Sequence, residues 1–154
     1  AGNEDLLRRM RDEGHQVGNH SWSHADLKRE SDGGFQQEVG RTDALLRETL
    51  GEGDYWLRPP YGFLTAHQRQ LLTVPAVKWS VDPEDWKLRN TEKDVAAVLR
   101  GVQPGDIILM HDTIPATVDA ALRIVDALQA EGYTFVTVEE LLALSGVVVA
   151  IDRK

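Results

Sequence analysis

The feature that most constrains this chain is an alternation: short apolar runs of strand character and longer amphipathic runs of helical period follow one another about five times through 154 residues. Parallel strands need a crossover segment between them, so the alternation predicts an α/β fold. Helical periodicity predicts helices over 4–13, 35–50, 65–72, 91–100, 116–130 and 139–144. The first repeats Leu6, Leu7 and Met10 at helical spacing and stops at Gly14, and the second carries Phe35, Val39, Thr42, Leu45, Leu46, Thr49 and Leu50 on one face. Thr65 and Thr91 are placed to cap the third and fourth. Strands are expected over His15–Gly18, Tyr55–Arg58, Val77–Val81, Asp106–His111 and Thr134–Val138, with Pro59-Pro60 ending the second. The nearly unbroken apolar run of the fourth predicts burial on both faces. Val147–Ile151 reads as a short final strand or an apolar tail.

Composition bounds the chemistry. At 42% hydrophobic the chain can build one domain with a real core, and its formal net charge of -8 repels nucleic acid and anionic membrane surfaces. With no cysteine, any metal must sit on His, Asp or Glu. No apolar run is long enough for a membrane span, and Ala1-Gly2-Asn3-Glu4-Asp5 lacks the basic start of a signal peptide. The expectation is a soluble chain whose partner is neutral or cationic.

In α/β folds the reactive groups gather at the C-terminal ends of the strands. Those ends carry His20 and His24, Arg58, Asp82 with Asp85, and His111 with Asp112. Histidines at i and i+4 share one face of a helical turn and can jointly bind zinc, which takes three protein ligands where one position stays open to water. The same spacing fits a turn whose histidines bond locally. Arg58, before the two prolines of "LRPPYG", reads as a snorkelling side chain at a sheet edge or as a fixed cation that orients a carboxylate. "WSVDPEDW" reads as an acidic surface turn with one Trp in the core. His111 reads as a satisfied rim residue, or as a general acid near neutral pH if a carboxylate lies beside it.

Taken in order and at their intervals, "HSWSH", "RPPYG", "VDPEDW" and "ILMHD" resemble the polysaccharide deacetylase family, the NodB homology domain of carbohydrate esterase family 4. The resemblance runs from about Asn3 to Leu144. It implies a distorted (β/α) barrel of the NodB type over 1–145, with 146–154 as a tail, and a divalent metal, usually Zn2+, held by His20 and His24 with an aspartate. It implies His111 as the acid that protonates the leaving amine and Asp85 as the carboxylate that tunes it. Trp86 and Leu109 would wall the acetyl pocket, Tyr61 would lend its backbone N–H to an oxyanion hole, and Arg58 would hold the catalytic base. The family's first motif, Thr-Phe-Asp-Asp-Gly-Pro, supplies that base and the aspartate ligand and has no counterpart in this sequence. The chain therefore resembles the C-terminal three-quarters of the domain, and a separate N-terminal fragment is an implied partner.

The implied activity is metal-dependent removal of N-acetyl groups from an N-acetylglucosamine polymer, peptidoglycan or chitin-like, at an extracytoplasmic site. An O-acetyl xylan esterase and a non-catalytic glycan-binding module are the alternatives. Acetate release from the two polymer types separates the enzymes, and glycan retention without acetate release marks the module.

Overall fold

The computed structural model describes residues 2–145, so Val147–Ile151 and the expected tail lie outside the described residues. One compact unit holds the described residues up to Lys78, and a second spans Trp79–Ser145.

In the first unit, α1 (Glu4–Asp12) packs on α2 (Asp32–Leu50). Helix α2 starts where Ser31 accepts the Gly34 N–H, three residues earlier than its apolar periodicity begins. It buries Phe35, Leu46, Thr49 and Leu50, whereas Leu45, assigned to the same face from sequence, is 40% exposed. Phe35 joins Leu27 and Leu57 in one core cluster, and Leu46 and Leu50 join Tyr55 in another. Each such side chain contributes about 1.5–3 kcal/mol by leaving water. A capping box between Thr65 and Gln68 starts α3 (Ala66–Leu71).

In the second unit, α4 (Asp85–Leu88) leads to α5 (Thr91–Leu99), and α5 packs along α6 (Pro115–Ala130). Val98, Val102, Ala120, Ile124 and Leu128 form the core between them. Asn90, not Thr91, caps α5: its side chain accepts the Lys93 N–H at 3.0 Å, and Thr91 is the first helical residue. Pro115 opens α6, where its missing N–H costs nothing. Thr137 and Glu140 form the capping box of α7 (Val138–Leu144).

The expected strands are extended runs that pair at single residues. The pairings are parallel: Asn19 with Leu57, Leu57 with Ala76, and Val81 with Ile108. Prolines explain their brevity, because Pro59, Pro75 and Pro83 lie within two residues of Leu57, Ala76 and Val81 and cannot donate to a ladder. Gly18 is required where the first pairing begins, since a Cβ there would stand 2.8 Å from the Trp56 carbonyl oxygen. Thr134–Val138 makes no strand: Phe135 and Val136 are 45% and 40% exposed, and Thr137 serves as a helix cap. The Asp106–His111 run is not buried on both faces. Ile108 and Met110 are half-buried against the α5–α6 core, and of this run only Leu109 is buried.

Candidate functional site

The sequence-derived site residues fall into two clusters, one in each unit. The first is built on the turn from His20 to His24. Asn19 is buried and paired with Leu57, which fixes where the turn starts. The turn is not helical as the i, i+4 spacing suggested: Ser21 and His24 hold φ of 64° and 62°. For residues with a Cβ such conformations cost about 1–3 kcal/mol each and persist only where the surroundings impose them. The two imidazoles meet edge to face with centroids 4.9 Å apart, and the Tyr61 ring stands 5.1 Å from that of His24. Tyr61 is itself left-handed, at φ 57°, in the short 3-10 turn Pro60–Gly62.

His20 Nδ1 bonds the Arg58 backbone carbonyl. A carbonyl only accepts, so Nδ1 carries the proton and Nε2 carries the lone pair, the tautomer that a metal ligand needs. The same residue's side chain presents a different signal. Arg58 Nε is buried with no hydrogen-bond partner, and burial pulls the guanidinium below its usual range. A half-buried guanidinium whose Nε–H has no partner fits a carboxylate that bonds it. Among the described residues no three His, Cys, Asp or Glu side chains gather as a metal-holding group. The donor set at the turn is thus two imidazoles, which suits a borderline metal such as zinc as a partial set.

Two residues that support this turn carried no signal in the sequence. Asn19 Nδ2 donates to the Val39 carbonyl at 2.9 Å, while its Oδ1 accepts the Ser21 N–H at 3.0 Å. Glu38 accepts the N–H groups of Trp22 and Ser23, and these bonds hold it below the usual carboxylate range. Glu38 lies on the solvent side of an ordinary amphipathic pattern, where local sequence does not separate a clamp from a solubilising charge.

The second cluster is a complete pair. Asp85, at the start of α4, is fully buried, and its two oxygens accept the His111 ring Nδ1–H at 2.9 Å and the His111 main-chain N–H at 2.7 Å. Burial alone would raise the Asp85 carboxyl, but the bonds from the His111 ring and main chain outweigh it and hold the group below its ordinary value. The pairing leaves His111 Nε2 as the atom that can give or take a proton. Glu84 reaches this corner in a left-handed conformation, φ 56°, with its N–H donated to Asp82 Oδ1 at 2.9 Å. Trp86 is 51% exposed and, with His111, lines an open cavity of about 640 Å³ bounded also by Arg89 and Ile114. Leu109 is buried and does not line that cavity. The second acid that sequence reading missed is Asp94 on α5, fully buried with neither carboxylate oxygen hydrogen-bonded; burial and the charge of Asp85 raise it.

The profile of the polysaccharide deacetylase family matches residues 1–74. A chitooligosaccharide deacetylase from Bradyrhizobium is 34% identical, across 86% of this chain and 69% of that protein. The peptidoglycan-N-acetylglucosamine deacetylase of Listeria monocytogenes is 38% identical over 90% of this chain, which spans only 30% of that longer protein. Among solved structures, a family 4 acetyl xylan esterase from Clostridium thermocellum, in complex with a cobalt ion, superposes with a TM-score of 0.89. It is 31% identical, over 98% of this chain and 75% of that one.

Proposed function

Because this chain belongs to the polysaccharide deacetylase family, we propose that it carries the histidine half of a divalent-metal site and the general acid of a glycan N-deacetylase. The observation that carries the reading is the pair of tautomers: His20 and His111 are each held through Nδ1, so each offers Nε2 to chemistry. The proposed substrate is an N-acetylglucosamine polymer, peptidoglycan or chitin-like, which would put the reaction outside the cytoplasm. Supporting it are the substrates for which the Listeria and Bradyrhizobium relatives are named. The proposed architecture is the distorted (β/α) barrel of the NodB type, with 1–145 as the catalytic domain; parallel pairing at three positions is what supports it here.

His20 and His24 would hold the metal, Zn2+ by preference for nitrogen donors. When bound, it would polarise the acetyl carbonyl and lower the pKa of water. Arg58 would bond the carboxylate that accepts the water's proton; that carboxylate and the third metal ligand would come from a separate segment of the same protein. The Tyr61 N–H would donate to the developing oxyanion, a contribution typically worth on the order of a hundredfold or more in rate. His111 Nε2–H would protonate the departing nitrogen while Asp85 steadies the charged ring. Trp86, exposed at the cavity, and Leu109 would wall the pocket that takes the acetyl group.

The experiment is acetate release from an N-acetylglucosamine polymer and from acetylated xylan, with Zn2+ or Co2+ added and with chelator. Release from the amino sugar polymer that chelator stops is the expected result. Release from xylan alone would transfer the reading to O-deacetylation, which the likeness to the Clostridium esterase favours as the second reading. Glycan retention without release from either polymer would make the chain a binding module.

A further inference from the structure

The turn that presents His20 and His24 has no helix or strand of its own, and two of its residues are left-handed, so its shape must be imposed from elsewhere. Consecutive amides in such a turn point inward together and form a concavity that receives an anion. Here the anion is internal. Glu38 Oε2 accepts the Trp22 N–H at 3.1 Å and the Ser23 N–H at 2.8 Å, and Oε1 accepts the Ser23 hydroxyl at 2.8 Å. The Ser21 hydroxyl in turn accepts the His24 N–H at 3.0 Å. The next residue of α2, Val39, takes the Asn19 side chain through its carbonyl. Helix α2 therefore grips the chain on both sides of His20.

We infer that Glu38 is a positioning residue for the two-histidine site, the internal anion that presets the separation and orientation of His20 and His24 before any metal arrives. The inference rests on the reading of those histidines as metal ligands. Helix α2 does not need Glu38 in order to pack: its buried residues are Phe35, Leu46, Thr49 and Leu50. Three bonds from one carboxylate to two adjacent residues of a ligand turn are a specific arrangement, whereas a solubilising glutamate would face water. Without it the turn can relax, and part of the binding energy goes into rebuilding it. Loss of a group that orients metal ligands typically costs 10–100-fold in metal affinity.

The test is Zn2+ affinity of the full chain, by competition with a chromogenic chelator, together with the visible absorption of bound Co2+ as a report on ligand geometry. Four proteins are compared: the parent, Glu38→Ala, Glu38→Gln and His24→Ala. Glu38→Ala should weaken Zn2+ about 10–100-fold and alter the Co2+ band, with its melting temperature in chelator close to the parent's. Glu38→Gln, whose amide oxygen still accepts both N–H groups, should recover most of the affinity. Parent-like Zn2+ affinity and Co2+ spectrum in Glu38→Ala, with binding lost in His24→Ala, would overturn the inference and leave the two-histidine reading standing. Zn2+ binding that His24→Ala leaves unchanged would overturn that reading and the inference with it. Should Glu38→Ala not fold, Ser23→Ala removes only the hydroxyl contact; a several-fold loss is expected, and no loss would overturn the inference.

Discussion

The histidine turn of the first unit and the His111–Asp85 pair of the second solve opposite problems. His20 and His24 are solvent-exposed on a turn with left-handed residues at Ser21 and His24; the His20 ring is held through Nδ1 by the Arg58 carbonyl, and the His24 main-chain N–H by the Ser21 hydroxyl. His111 instead leans on a carboxylate with no exposed surface, which bonds its ring and its main chain at once. The first arrangement is open: it needs a further ligand to become a site. The second is closed, because both oxygens of Asp85 are engaged within the described residues. Openness suits metal binding, which must leave coordination positions for protein and substrate; closure suits proton transfer, which needs one fixed tautomer.

The comparison breaks most easily at the open cluster. His24→Ala should reduce acetate release to background, because metal polarisation and water activation would go together; near-parent release would end the metal assignment. His111→Ala should cost about 10²–10⁴-fold in kcat while Zn2+ affinity stays at the parent value. A simultaneous loss of metal binding would mean that the two clusters are not separate in function.

Asp85→Asn sharpens the contrast through stability. A buried hydrogen bond to a charged group contributes about 1.5–3 kcal/mol, so the variant should melt lower at neutral pH. The sign follows from the depressed carboxyl: its stabilisation is present above the unfolded value of about 3.9 and is lost as pH falls through the folded value. The gap between parent and variant should therefore close as the solution is acidified, read by thermal melts across pH. A constant gap would mean that the ionised carboxylate contributes nothing special.

The smallest effect is expected at Asp94, whose carboxyl is raised by burial and by Asp85. A raised carboxyl favours the folded state while protonated, and that advantage disappears as pH rises through its folded value. Asp94→Asn should then melt slightly higher than the parent at neutral pH and equal to it in acid. A lower melting temperature at neutral pH would show that Asp94 is ionised and paired.

What was legible in the sequence is what depends on near neighbours. Helix existence followed from periodicity, and Thr65 starts its helix by a bond spanning three residues, a local signal. The order of four motifs identified the family because each motif is a contiguous run. Misreadings arose where a distant contact decides. Strand length was overestimated, since it depends on pairing across the fold and on prolines that cut that pairing at Leu57, Ala76 and Val81. The cap of α5 shifted by one residue because Asn90 and Thr91 are both capable and only geometry chooses.

By itself the sequence determined the α/β alternation, every α-helix among the described residues except the one-turn α4, the family and the residue types at each strand end. Only the tertiary structure decided that His20 and His24 sit on a left-handed turn rather than a helical face, because Glu38 and Asn19 draw the local backbone into a conformation its own propensities disfavour. The resemblance singled out Asp85 among the three acids of its motif, but only the tertiary structure supplies the contact: it buries Asp85 and brings both its oxygens to His111, whereas Asp82 and Glu84 stay exposed.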